Sequence, residues 1–516
     1  MIERKIIIGA IVSTEYLLQI KDIWNIKFFE SSTAKRIGRW VWDYFLQYNK
    51  APGKNIEAIF YEKLKSDKNL PKDVAEEIEE DILPGLSEEY TQENMNLDYL
   101  IDQTRVYFNE RNLTIHTALI QANLNKGELL QAEQLACEYK PLTSSTAHDI
   151  DLSNESVLDR IDKAFNTDTE SLIRYRGPLG DFWNDQLVRG GFVALLAPEK
   201  RGKTWWLLEL ANKACIQKRK VAFFQAGDMS EGQQLKRICI HRAGKSNMER
   251  YSGKMMEPVL DCVLNQINDC TKEERECDFG IFEGLTMAEV KYEMDKSKLT
   301  EAWKDNKDYT PCKACEDWKV RSIGVPWIKE VDVGNPLTTD EAKQVISDFF
   351  IKYNVQFKIS THPNDTLSIK AINAILDVWV KQDGFVPDVI IIDYADLLIA
   401  DGYEKDHRQQ QNKIWKGLRG LSQVRGNPLV ITATQADANS YEKNSLKMTN
   451  FSEDKRKFGH VTAMWGLNQD PKDREKKIGI MRINEIVVRE GEFFNSREIK
   501  VLQNLKRGRP FLGSYW

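Results

Sequence analysis

Phe192-Val193-Ala194-Leu195-Leu196-Ala197-Pro198-Glu199-Lys200-Arg201-Gly202-Lys203-Thr204 decides the reading of this chain. An unbroken apolar run of this length predicts a buried strand, because alternation disappears when both faces of a sheet are covered. The run passes into a short loop that closes on Gly-Lys-Thr and opens a helix. Backbone N–H groups at a helix N-terminus cradle phosphates. The Lys203 ammonium is placed to reach β- and γ-phosphates, and the Thr204 hydroxyl to ligate Mg²⁺. The pattern is that of a phosphate-binding loop with alanine in the first glycine position. A chance Gly-Lys-Thr is the competing reading, and the strand–loop–helix context argues against it. The predicted nucleotide-binding set is Ala197, Pro198, Glu199, Lys200, Arg201, Gly202, Lys203, Thr204 and Trp205. For Trp205-Trp206, core packing competes with contact to a nucleotide base.

Working outward, apolar runs alternate with helical stretches at Phe192–Ala197, Val221–Ala226, Phe357–Ser360, Val389–Ile392 and Leu429–Ala433. This predicts an α/β domain with a mostly parallel sheet covered on both faces. After residue 478 the strand-like runs follow closely, as Ile478–Val488 and Glu498–Leu505, which predicts antiparallel additions at the sheet edge. Three acidic or amide residues fall at strand ends. Asp393 closes Val389-Ile390-Ile391-Ile392 and is a candidate Mg²⁺-shell carboxylate, while nearby Asp396 reads as structural. Asp228 follows the second run and could activate a water, unless it simply caps the next helix. Gln435 ends the fifth run and could sense the γ-phosphate.

The 516 residues suffice for two or three domains, with 41% hydrophobic and 29% charged residues, as in ordinary globular proteins. No run approaches the about 18 apolar residues of a membrane span. The short apolar start at residues 6–12 lacks a cleavage site and reads as an amphipathic helix, which predicts a cytoplasmic location. A formal net charge of −5 disfavours a protein that coats duplex DNA, though not one touching nucleic acid through a few loops.

Residues 1–140 read as helical, with a long helix from about Leu97 to Asn123, a break at Gly127 and a further helix over Glu128–Tyr139. A polar stretch from Pro141 is the best linker candidate, followed by a short helix over Ser153–Phe165; the linker block is taken as 141–172 and the α/β domain as 173–516. Of eight cysteines, five (262, 270, 277, 312 and 315) lie close together. Clustering of this kind in a cytosolic chain points to metal rather than disulfides. Cys262, Cys270, Cys312 and Cys315 are the expected Zn²⁺ ligands of a zinc-ribbon-like insert at about 250–340, with Cys277 as a substitute and ordinary reduced thiols as the competing reading.

Taken together, the motifs resemble those of DnaB-type replicative helicases, RecA-type motors of superfamily 4. That family's phosphate loop also begins with alanine, as Ala197-x4-Gly202-Lys203-Thr204 does. Arg176-Gly177-Pro178-Leu179-Gly180-Asp181-Phe182 is similar to its lead-in, and Asp228-Met229-Ser230 stands where the family has Glu-Met-Ser. Ile391-Ile392-Asp393-Tyr394 is followed by Arg408-Gln409-Gln410 and an amphipathic helix, as in the family. Lys506-Arg507-Gly508-Arg509-Pro510 resembles its trans-acting basic motif, with Arg507 matching the arginine finger and Lys506 offset by one position. The first 140 residues resemble the helical collar, and residues 141–166 the linker with its docking helix. The resemblance implies ATP and Mg²⁺ as cofactors, a homohexameric ring, 5′→3′ translocation on single-stranded DNA, and a primase and helicase loader as partners. Phage members of the family are common, and the divergence here suits one. Ala436–His460, with Lys443, Lys447, Lys455, Arg456 and Lys457, would then line the central channel; a solvated surface loop is the alternative. Two other functions stay open: a RecA-like recombination or repair ATPase, and a non-enzymatic, nucleotide-gated scaffold for DNA or primase.

Overall fold

The structure is a computed structural model that describes residues 2–66, 78–79, 97–139, 142, 161, 165, 170–273, 275, 277–295, 298–312, 314–315, 323–402, 406–448, 455–489, 491–494 and 496–516. The chain divides into two units, Met1–Val157 and Leu158–Trp516. The expected linker at 141–172 falls almost wholly outside the described residues.

The first unit is helical: α1 (Ile2–Val12), α2 (Thr14–Ile20), α3 (Ser32–Tyr48), α4 (Asn55–Ser66), α5 (Leu97–Asn125) and α6 (Leu129–Glu138). The apolar start of the chain is the buried face of α1, with Ile6, Ile7 and Ile11 packed in one cluster with Val41, Phe60 and Phe108. Local chemistry sets the ends of α3. The Ser31 side chain accepts a hydrogen bond from the Ala34 N–H, and Asn49 closes the helix at φ 55°. No described helix is long and apolar enough to cross a membrane.

The second unit follows the order α7 (Pro178–Trp183), β1 (Phe192–Ala197), α8 (Lys203–Ile216), β2 (Val221–Ala226), α9 (Glu231–Ala243), β3 (Lys254–Cys262), α10 (Val263–Gln266), α11 (Met287–Asp295), α12 (Leu299–Asp305), β4 (Gly324–Asp332), α13 (Thr339–Tyr353), β5 (Phe357–His362), α14 (Ile369–Asp383), β6 (Val389–Asp393), α15 (His407–Leu421), β7 (Leu429–Gln435), β8 (Ala463–Asn468), α16 (Arg474–Ile478), β9 (Ile480–Val488), β10 (Glu498–Asn504) and β11 (Arg509–Tyr515). Among the described residues, nine strands form one sheet in the order β11-β10-β9-β8-β1-β7-β6-β2-β5. The strands from β8 to β5 are parallel, and β9, β10 and β11 continue antiparallel. The predicted α/β class and mostly parallel sheet are therefore present.

Successive side chains of β1 alternate between two cores. Val193, Leu195 and Ala197 pack on the α8 side with Trp206 and Leu210, and Phe192, Ala194 and Leu196 on the other side with Trp415 and Leu418 of α15. The parallel direction brings the C-terminal ends of β1, β2, β6 and β7 to one edge, where open α/β sheets hold their ligands. Two strands of the large sheet depart from the sequence reading. β8 was not foreseen, and β11 begins within the basic segment that was read only as a motif.

The segment from β3 to β4 shares a further apolar cluster with the large sheet. β3 and β4 form an antiparallel hairpin whose ends meet, since the Gly253 N–H donates to the Gly334 carbonyl at 2.7 Å. Val263, Val290, Leu299, Tyr309 and Trp327 cluster with Ile480, Leu502 and Tyr515 of the large sheet. Apolar packing against β9, β10 and β11 thus stabilises this segment.

Candidate functional site

The loop after β1 turns on two left-handed residues, Lys200 at φ 58° and Gly202 at φ 86°. Gly202 is needed twice over, because a Cβ there would also lie 3.0 Å from Leu505. The turn aims the free N–H groups of α8 into a cavity of about 460 Å³. Glu199, Lys200, Lys203, Thr204, Trp205, Asp228, Arg237, Tyr394, Gln435 and Leu505 line it together with Gly202. Residues predicted separately from β1, β2, β6 and β7 thus meet here or border it.

Lys203 Nζ donates to the carbonyls of Ala197 at 2.9 Å and Pro198 at 3.3 Å. Those two residues serve the site through their backbone. Burial lowers the Lys203 pKa, and the carboxylates of Asp396, Asp393, Glu199 and Asp228 partly offset this. A desolvated ammonium held by neutral carbonyls is well disposed to an incoming anion.

Thr204 Oγ1 donates to Asp393 Oδ1 at 3.3 Å. Asp393 Oδ2 is buried with no hydrogen-bond partner among the described residues. Burial raises the pKa of this carboxyl to about 6, with the Thr204 bond and the charge of Arg237 pulling the other way. An orphaned carboxylate oxygen beside a hydroxyl fits an Mg²⁺ shell, with Thr204 and Asp393 as the protein side of it.

Asp228 is exposed at the pocket lip, after Gly227 at φ 93°. It does not cap the next helix. Ser230 does, in a capping box with Gln233. That alternative for Asp228 is removed. Gln435 Nε2 donates to Glu199 Oε1 at 3.1 Å. Asp396 is structural, accepting from the Thr434 hydroxyl, the Gln435 N–H and Lys457 Nζ.

The two tryptophans divide their roles. Trp206 is fully buried in the core, and Trp205 lines the pocket with the Arg237 guanidinium 5.8 Å from its ring centroid. Arg201 faces elsewhere: it is 7% exposed and donates to Gln469 Oε1 at 3.0 Å. Arg237, Tyr394 and Leu505 were missed as pocket residues. Arg237 lies one turn after Gln233 on α9, a spacing that shares a face with the start of that helix.

Arg507 is engaged within its own chain. Its Nε donates to the Gly244 carbonyl at 2.7 Å and its Nη1 pairs with Glu257 of β3 at 2.6 Å. Arg509 Nη2 donates to the Arg242 carbonyl at 3.4 Å, so the basic segment is packed against the end of α9.

Among the described residues, no group of three or more His, Cys, Asp or Glu could hold a metal. The expected set of Cys262, Cys270, Cys312 and Cys315 is free thiols. Asp261 organises this region instead, accepting from the Cys262 and Cys312 N–H groups, Gln266 and Tyr309. In the Ala436–His460 stretch, Lys443, Lys447 and Arg456 are exposed, whereas Lys457 is buried against Asp396 and cannot meet a DNA phosphate as placed.

No family profile and no curated protein matches the chain. Among solved structures, it is similar to a DnaB-like replicative helicase described with its interactions with primase, at 15% identity over 98% of each chain and a TM-score of 0.48. It is also similar to a separately solved ATPase domain, at 13% identity over 69% of this chain and 96% of that one, with a TM-score of 0.41.

Proposed function

We propose that this chain is an ATP-hydrolysing motor of the replicative-helicase type. The observation that carries the hydrolytic part is the convergence of Lys203, Thr204, Asp393, Asp228 and Gln435 on one pocket at the C-terminal edge of a parallel sheet. In this reading Lys203 leaves the Ala197 and Pro198 carbonyls for the phosphate chain as the nucleotide enters. Thr204 and Asp393 hold the Mg²⁺ that accompanies it, which supplies charge neutralisation on the phosphate oxygens. Asp228, exposed to solvent at the lip, orients the attacking water and takes its proton. Gln435, released from Glu199, contacts the γ-phosphate and reports its departure.

The motor part rests on the motif resemblance: a homohexameric ring, 5′→3′ movement on single-stranded DNA, and a primase and loader as partners. Arg507 then serves the nucleotide of a neighbouring subunit, and Lys443, Lys447, Lys455 and Arg456 track phosphates without reading sequence. Residues 1–140 act as the collar and 141–172 as linker and docking helix.

Two assays test this. ATP turnover with and without single-stranded DNA should show stimulation, and a fork with a free 5′ tail should be unwound. Absence of turnover under both conditions would leave the nucleotide-gated scaffold in its place. Turnover without strand displacement would favour the recombination-type ATPase.

A further inference from the structure

Gln225 stands next to the end of β2, directly opposite Asp393 in the parallel register with β6. Opposed residues of paired strands share a face. Phe223 and Ile391, one pair earlier on that face, both pack in the core under α8, so Gln225 and Asp393 point to the α8 side and the phosphate loop. Gln225 is 0% exposed. Its Nε2 donates to the Met229 carbonyl at 2.7 Å. A carbonyl only accepts, so this bond fixes which end of the amide is which. The other end, Oε1, is buried with no hydrogen-bond partner among the described residues, as is Asp393 Oδ2. Two buried acceptors therefore belong to register-paired residues on the α8 side of the sheet, each in want of a donor. A hydrated cation supplies such donors.

We infer that Gln225 is a positioning residue joining the two halves of the site. Its carbonyl oxygen accepts from the hydration shell of the divalent cation that faces Asp393. Its amide nitrogen holds the Gly227–Met229 turn that presents Asp228. Cation and catalytic base are thereby set by one side chain. Gly227 makes the turn equally rigid from outside, since any Cβ there would collide with the backbone and side chain of Asn364 after β5. This inference rests on the pocket being an Mg²⁺–nucleotide site.

The test uses the full chain, a fluorescent ATP analogue titrated with and without Mg²⁺, and steady-state ATP turnover. Groups behind a metal's direct ligands are typically worth ~10–100-fold in metal affinity or activity. Gln225→Leu should raise the Mg²⁺ concentration for half-maximal tight binding by about tenfold or more, lower kcat similarly, and leave Mg²⁺-free nucleotide binding unchanged. Gln225→Glu restores an acceptor but, ionised, no donor for Met229. Its Mg²⁺ requirement should return to wild type or below while kcat stays low. Should the leucine variant not fold by circular dichroism, Gln225→Met carries the same expectation. A folded Leu or Met variant with wild-type Mg²⁺ dependence overturns the inference, as does a glutamate variant with wild-type kcat. A wild-type protein that binds no Mg²⁺–nucleotide overturns the site reading itself.

Discussion

Lys203→Ala separates function from stability in a way the site geometry makes quantitative. The ammonium makes two hydrogen bonds, at 2.9 and 3.3 Å, to backbone carbonyls. Hydrogen bonds involving a charged partner contribute about 1.5–3 kcal/mol each. Against this stands the desolvation of the ammonium, which in proteins costs several kcal/mol per ion. The sign follows from the lowered pKa. Folding disfavours the protonated form, so the penalty is fully present below the folded pKa and fades only as pH rises toward the unfolded value. At neutral pH the penalty at least offsets the hydrogen bonds, in line with the lowered pKa. The alanine variant should therefore unfold within a few degrees of wild type. ATP turnover should fall by at least ~10²–10³-fold, the scale for losing one preorganised donor to developing charge. Differential scanning fluorimetry and a phosphate-release assay read the two quantities. Turnover near wild type would refute the phosphate-loop assignment, and a collapse in Tm would refute the offset.

Asp393→Asn should abolish Mg²⁺-dependent hydrolysis. The raised pKa of about 6 means that folding penalises the carboxylate above that pH, so the variant should gain thermal stability at pH 8 without nucleotide, and the gain should shrink as pH falls through about 6; a gain independent of pH would contradict the assignment. For Arg507, mixing inactive Arg507→Ala with inactive Lys203→Ala should restore part of the DNA-stimulated ATPase, because some interfaces pair two intact residues; mixed oligomers that recover nothing would argue against action in trans. Replacing Cys262, Cys270, Cys312 and Cys315 by serine should leave thermal unfolding close to wild type. Trp327→Ala, in contrast, should cost about 3–5 kcal/mol in denaturant unfolding, as for a large buried aromatic; the reverse ranking would restore the metal.

What the sequence made legible was what local pattern controls. Apolar strands buried on both faces, such as β1 and β6, show themselves as continuous runs, and Asp393 and Gln435, which end β6 and β7, fall at the C-terminal edge of the sheet by construction. β8 escaped because Ala463-Met464-Trp465-Gly466-Leu467-Asn468 is short and broken by glycine, although Trp465 and Met464 fill opposite cores. β11 escaped because Arg509-Pro510 opens it. Proline is tolerated there only because this strand lies at the edge of the sheet. The cysteine spacing was visible, but the Asp261 network beside those cysteines joins residues about fifty positions apart, beyond any local signal. Arg237 gave no signal beyond its helical spacing, since a lone arginine on a polar helix usually faces water.

The insert hairpin begins and ends at glycines that hydrogen-bond to each other, so excising it would require only a short splice between Gly253 and Gly334. The geometry invites that truncation, and the packing forbids it. Ile480, Leu502 and Tyr515 of the large sheet are buried in the same cluster as Trp327 and Val263. A shortened chain would fold its backbone without strain and then present an apolar patch where the hairpin had been, a feature that drives soluble proteins to associate. Anyone trimming this protein to a minimal ATPase should expect loss of solubility before loss of fold, and should replace those three positions with polar residues at the same time.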